Sequence, residues 1–201
     1  MKPLNGKDML DSNKIEVHKI ALAFTSNADN EVHLFDREIG RQVRHEIEEQ
    51  VQAREKETVH FVSFSNICSI DYSCADELVG KLLSRLLANE YGQNYFVLEN
   101  LNSNHHENIQ VVLDHRKFGC LERIEDKSWN FLGHRTNSLL ETLNVIMEKG
   151  AITARELMAE FQLELTTSST RLSHLFKAHL VSRDQVKVDG GGMEYLYKKL
   201  F

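Results

Sequence analysis

The C-terminal third of the chain, residues 136–201, carries the pattern that most restricts its fold. Apolar residues at helical spacing predict three successive helices, separated by start and stop signals. A capping box of Thr153 and Glu156 begins the second helix. Thr166 or Thr167 begins the third, after a short turn. Two short strands follow, so the segment is predicted to be a small α+β unit of three helices and a hairpin.

The hairpin pairs residues 182–188 with residues 193–198, and its tip contains three consecutive glycines that accept the positive φ angles of a tight turn. The stretch ITARELMAEFQLELTTSSTRLSHLFKAHLVSRDQVKVDGGGMEYLYKKLF resembles the winged helix-turn-helix domain of bacterial transcription regulators. The resemblance covers the segment from about Thr136 to the end of the sequence and lies in element order and core spacing. It implies DNA binding through the third helix and the hairpin, which is called the wing.

The polar face of the third helix follows from 100° of rotation per residue. Its inner face is predicted to carry Leu172, Leu175, Phe176 and His179. A solvated polar face on a helix that serves only packing or dimerisation remains the alternative to a recognition helix. The predicted DNA-binding residues are Thr166, Thr167, Thr170, Arg171, His174, Lys177, Lys187, Gly190 and Gly191.

The preceding segment alternates strands with helices, which is typical of an α/β layer with helices packed on a sheet. Its strongest helix has apolar residues between positions 75 and 87 that step by 3 and 1. Asp36 is the predicted N-cap of another helix. The predicted strands are 16–25, 32–35, 58–64, 94–99, 120–124 and 128–132, and the predicted helices are 36–56, 75–87 and 104–117.

The order around FVSFSNICSIDYSCADELVGKLL, followed by YFVLEN, resembles the STAS family of anti-sigma-factor antagonists, and more closely STAS-like proteins of unassigned function. In that family an Asp-Ser-Ser-Gly-like segment begins the helix after a buried strand, and a partner kinase phosphorylates its second serine. The resemblance places Ser73 there, with Tyr72 and Cys74 in place of Ser and Gly. The residues themselves favour Ser73 as a plain N-cap, supported by Asp76 and Glu77 in the first turn.

Charge separates the two halves. Residues 134–201 hold 9 Lys/Arg against 8 Asp/Glu, whereas residues 1–133 hold 15 against 22, so the acidic N-terminal half is not expected to contact nucleic acid. Ten histidines and three cysteines show no ligand spacing, and no catalytic motif occurs, which predicts no metal, no cofactor and no enzymatic activity. Reduced cysteines, with no signal peptide or long apolar run, predict a cytoplasmic protein.

The predicted organisation is a flexible N-terminus over residues 1–14, a STAS-like α/β domain over 15–133 and a winged helix over 134–201. The expected function is a homodimeric, DNA-binding transcriptional regulator. Its STAS-like domain would sense an effector or a protein partner, such as a kinase-like ATPase. The alternative is a partner-switching module whose winged helix docks protein and not DNA.

Overall fold

The computed structural model of the chain describes residues 10–25, 31–124, 128–187 and 191–201. Its helices are α1 (Val17–Ala21), α2 (Arg37–Gln52), α3 (Tyr72–Ala75), α4 (Lys81–Leu87), α5 (Ser103–Arg116), α6 (Asn137–Lys149), α7 (Ala154–Phe161) and α8 (Leu165–Lys177), and a π-helical turn, Asp76–Gly80, joins α3 to α4. Its strands are β1 (Asp11–Glu16), β2 (Val32–Leu34), β3 (Thr58–Ser63), β4 (Ile67–Ile70), β5 (Tyr95–Glu99), β6 (Gly119–Arg123), β7 (Trp129–Gly133), β8 (Ala151–Thr153), β9 (Ser182–Lys187) and β10 (Met193–Lys198).

A five-stranded sheet in the order β1-β3-β5-β6-β7 forms the centre of the molecule. The first four strands are parallel, and β7 returns antiparallel to β6. Strands β2 and β4 form a separate parallel pair. This mixed α/β fold with a mostly parallel sheet confirms the general fold class predicted from the sequence.

Side chains of the central sheet alternate between two hydrophobic clusters, because successive residues of a strand point to opposite faces. One face packs against residues of α2, α4 and α5, and carries Ile15, Val62, Phe96, Leu98, Cys120 and Leu132. The other face packs against residues of α6, α7, α8 and β10, and carries Val59, Phe61, Tyr95, Val97, Leu121 and Phe131. The C-terminal segment, defined here as residues 137–201, therefore packs on one face of the sheet.

The C-terminal segment has the predicted local signals. Thr136 accepts a hydrogen bond from the Leu139 backbone and caps α6, and Thr153 with Glu156 forms the capping box of α7. Strand β8, which the sequence analysis missed, pairs with β10 and extends the hairpin to a sheet in the order β8-β10-β9. At three residues, β8 is too short to show an alternating pattern.

The N-terminal residues differ most from the prediction. Residues 11–14, expected to be flexible, begin edge strand β1, which pairs with β3 and has exposed side chains at Asp11, Ser12 and Lys14. Residues 17–21, expected in a strand, form helix α1, because Val17 and Ala21 at helical spacing are both buried. Strand β4 is absent from the prediction, since its last two residues, Ser69 and Ile70, lie in a segment that reads as a turn.

Candidate nucleic-acid interface

Helix α8 carries six of the nine residues that the sequence predicts to bind DNA. Ser168, Leu172 and Leu175 are buried beneath it, as the helical period requires. Of the nine residues predicted to bind DNA, those that the structure describes and that are exposed are Thr166, Thr167, Thr170, His174, Lys177, Lys187 and Gly191. The first five lie on one helix, and no acidic residue occurs between Leu165 and Lys177.

Arg171 does not belong to this open face. Its side chain is 24% exposed, and its Nη1 lies 3.6 Å from Oε2 of Glu141 on α6. The guanidinium also lies 5.8 Å from the ring centroid of Phe161 on α7. Position 171 precedes buried Leu172, so its side chain leaves the helix toward the neighbouring helices. The structure therefore directs Arg171 toward α6 and α7 instead of into solvent.

The start of α8 also differs from the prediction. The helix begins at Leu165, after Glu164, which makes no side-chain cap. The Thr170 hydroxyl donates to the Thr166 carbonyl at 2.8 Å, so its oxygen lone pairs remain to accept bonds. His179, expected on the inner face of the helix, lies beyond its end with a φ of 54°.

The hairpin is fixed against α8 by an arginine that the sequence analysis missed. Arg183 on β9 lies 4.0 Å from the Phe176 ring and 4.0 Å from the Tyr195 ring, sandwiched between them as a cation–π pair. At the tip, Gly191 has a φ of 92°, which favours glycine. Gly190, also predicted to bind DNA, lies outside the described residues.

A groove of about 230 Å³ separates α8 from the hairpin. Arg155 from α7 lies within it, with Nε 4.0 Å from Oε2 of Glu194. Leu165 and Tyr195 also line the groove and are exposed apolar side chains. This surface thus combines a polar helix face with an apolar groove beside it.

Ser73 lies at the second candidate site, and it is not the N-cap. Asp71 caps the helix instead: its Oδ1 accepts from the Cys74 backbone at 2.7 Å, and its Oδ2 accepts from the Asp36 backbone at 3.2 Å. Ser73 is half-buried in the first turn of α3. Asp76, expected to support the start of this helix, instead pairs with Arg116 of α5. Asp71 was available as a cap in the sequence, two residues before Ser73.

A buried ion network surrounds the π-helical turn. The Glu77 side chain is 2% exposed and accepts hydrogen bonds from Arg37 at 2.8 Å and Lys81 at 2.6 Å. Burial alone would raise the pKa of Glu77, but these hydrogen bonds outweigh it and hold that pKa below its usual value. The i, i+4 spacing of Glu77 and Lys81 was the available sequence signal.

A second buried carboxylate, Glu48, continues this network. It accepts from Arg44 at 2.6 Å, from Arg85 at 2.8 Å and from the Tyr91 hydroxyl at 2.7 Å. Burial, followed by the hydrogen bond to Glu48, raises the pKa of Tyr91. A cavity of about 340 Å³ opens beside these groups, lined by Arg41, Arg44, His45, Glu48, Glu49, Gln52 and Arg85.

Asn94 connects this network to the C-terminal segment. Its Nδ2 donates to the Tyr91 carbonyl at 2.6 Å, and its Oδ1 lies 3.1 Å from His60 Nε2. Its own carbonyl accepts from Nδ1 of His179, just beyond α8, at 2.8 Å. Burial lowers the pKa of His60 to about 4 and, despite the Asn94 bond, lowers that of His179. Polar contacts thus link both sides of the sheet.

Comparison with known proteins gives no relative: no protein-family model, curated protein or solved structure matches the chain. Within the described ranges, no helix is long and apolar enough to cross a membrane.

Proposed function

We propose that the chain is a DNA-binding regulator in which the C-terminal segment acts as a winged helix. Helix α8 enters the major groove, and the hairpin contacts the adjacent backbone. The observation that carries the proposal is the exposed, acid-free face of α8, formed by Thr166, Thr167, Thr170, His174 and Lys177. The major groove admits one α-helix, and hydroxyl groups bond to both phosphates and base edges.

The charges available to this surface are few. Lys177 on α8 and Lys187 on the hairpin are exposed, whereas Arg171 pairs with Glu141. One copy of the chain therefore contributes about two strong phosphate contacts. A homodimer that reads two half-sites doubles that number. With roughly four neutralised phosphates, the logarithm of affinity is expected to fall by about 3 to 4 per tenfold increase in salt.

The experiment is an electrophoretic mobility shift of mixed-sequence duplex DNA by the whole chain, first at low salt and then across a salt series. The double variant Lys177→Ala, Lys187→Ala is expected to weaken binding and reduce the salt dependence. Lys19→Ala is the matched control, because Lys19 is 72% exposed and lies on α1, outside the C-terminal segment. Failure to shift any duplex at low salt, or equal binding by all three proteins, contradicts the proposal.

The groove beside α8 favours the second candidate function, a docking surface for a protein partner. Leu165 and Tyr195 expose apolar area there, and Met193 at the start of β10 is exposed as well. Leu165→Asp is expected to abolish capture of such a partner, while the lysine double variant preserves it. Apolar docking responds weakly to salt, so the same salt series distinguishes the two functions.

For the input half we propose a STAS-like domain over residues 15–133, regulated at Ser73 by a kinase-like ATPase or by another bound partner. Ser73 lies beside the Asp71 cap and close to the ion network around Glu77. A phosphate there adds a charge of about −1.5 to −2, and Arg37, an exposed cation of that network on α2, would supply a counter-charge. Mass spectrometry of the chain from its own cells tests this, and an unmodified Ser73 under all growth conditions refutes phosphorylation.

A further inference from the structure

Three side chains with metal-binding atoms meet on the separate β2–β4 pair. The carboxylate of Glu31, the imidazole of His33 and the thiol of Cys68 lie with one ligand atom each within 4.8 Å of one another, and all three are exposed. His33 Nε2 lies 3.6 Å from Glu31 Oε2. This cluster is not recognisable from the sequence, because His33 and Cys68 are 35 positions apart and strand pairing brings them together.

A β-bulge explains how these side chains converge. Val32 pairs with Ile67, but the next residue, His33, pairs with Ser69, so Cys68 is an extra residue on β4. The side chains of Cys68 and Ser69 therefore do not point to opposite faces of the strand, as those of neighbouring residues do in a regular strand. Bulges are frequent where a strand must redirect a side chain. Here the bulge places the thiol beside His33.

Two contacts orient the ring of His33. Its Nδ1 lies 2.6 Å from the Ser69 hydroxyl, and its ring stacks on Phe35 with centroids 5.4 Å apart. When Nδ1 donates its proton to Ser69, Nε2 presents a lone pair toward Glu31. Ligating histidines commonly use their second nitrogen in this way, and the partner fixes the tautomer.

We propose that Glu31, His33 and Cys68 bind a zinc-class divalent ion, with a water molecule at the fourth position. The donor set of oxygen, nitrogen and sulfur suits zinc and excludes magnesium or calcium, which take oxygen ligands only. Tetrahedral bonds of about 2.0 to 2.3 Å separate neighbouring donors by roughly 3.4 Å. The 3.6 Å between His33 and Glu31 already approaches that value, and small rotations of exposed side chains supply the rest.

Binding is coupled to proton release. Cys68 loses its thiol proton to solvent when sulfur ligates the ion, so affinity is expected to rise with pH. The ion also joins β2 to β4, and it stabilises the folded chain because the unfolded chain does not hold the ligands together. These consequences are independent of DNA binding and of Ser73.

The test uses the untagged whole chain, freed of metal with a chelator and titrated with Co²⁺ as a spectroscopic probe. One equivalent is expected to bind with tetrahedral visible bands and a sulfur-to-cobalt charge-transfer absorption, and Zn²⁺ is expected to displace it. Cys68→Ser is expected to remove the charge-transfer band, and His33→Ala to weaken binding at least 100-fold. Ser69→Ala is expected to weaken binding about 10-fold while retaining the band.

His45→Ala is the matched control. His45 is also exposed beside a carboxylate, with Nε2 3.5 Å from Oε1 of Glu49, but the described residues place no third ligand there. It is expected to bind Co²⁺ like the unaltered chain, and circular dichroism confirms that each variant folds. Absence of stoichiometric binding, binding without a charge-transfer band, or equal affinity in His33→Ala and His45→Ala each overturns the proposal.

Discussion

Truncation of Leu121 to alanine is expected to destabilise both halves of the chain together. Leu121 is fully buried in β6 and lies on the sheet face that the C-terminal segment covers. Removing a buried leucine side chain costs about 2–5 kcal/mol, from lost burial and the remaining cavity. For a chain of this size, a cost of about 3 kcal/mol lowers the melting temperature by roughly 6–12 °C.

The assay follows thermal and urea unfolding by two probes. Far-UV circular dichroism reports all helices, whereas the single tryptophan, Trp129 in β7, packs against the cluster under the C-terminal segment. Leu98→Ala is the matched control, because Leu98 is equally buried on the opposite face. Both variants are expected to unfold in one transition that both probes share. Separate transitions in Leu121→Ala, or a loss below about 1 kcal/mol, refute a shared core.

Three further predictions concern single positions. Gly133→Ala is expected to lower the free energy of unfolding by about 1–3 kcal/mol, because φ is 92° and a Cβ would lie 2.3 Å from the carbonyl oxygen of Phe118. Gly92 has a φ of 60° but open space around it, so Gly92→Ala is expected to lower it less. Urea unfolding measures both. His60 is neutral in the folded chain, because burial lowers its pKa to about 4 from about 6.5 in the unfolded chain. The stability that depends on neutral His60 is therefore fully present above about pH 6.5 and is lost as the pH falls toward about 4. His60→Gln is expected to flatten that part of the plot of urea midpoint against pH. The pKa of Glu77 is lowered by folding, so ionised Glu77 contributes stability above its unfolded pKa of about 4.3. That contribution is lost as the pH falls through the folded pKa. Glu77→Gln is expected to lower stability at pH 7 and reduce its loss at low pH.

The elements that sequence predicted well are those whose signals are local. Helix α2 has its cap at Asp36 and a regular apolar stripe, and α7 has both members of its capping box. Strand β3 is buried at every position, so an apolar, β-branched run identifies it without knowledge of its neighbours. The hairpin has three consecutive glycines in the sequence between its two strands.

The missed elements depend on distant parts of the chain. Strand β1 is polar and is recognisable only by its pairing with β3, more than forty residues later. Cys68 shows no ligand spacing in the sequence, but the bulge on β4 places it beside His33. Arg171 reads as a groove-facing cation, but a carboxylate on α6 draws it inward. In each case a tertiary contact, absent from any local window, decides the side chain's position.

The shared sheet matters for how binding at the N-terminal half would affect the DNA binding that we propose for the C-terminal segment. If the two halves were joined only by a linker, binding at one would leave the other unchanged. Instead, Glu48 bonds to Tyr91, Asn94 bonds to the Tyr91 carbonyl, and His179 bonds to Asn94. A ligand in the cavity beside Glu48 would contact one end of this series of hydrogen bonds. The other end, His179, lies just beyond the end of α8. Coupling between the cavity and α8 requires an element that has two arrangements and whose equilibrium both sites change. The short turn at His179 is the segment that would connect such a change to α8.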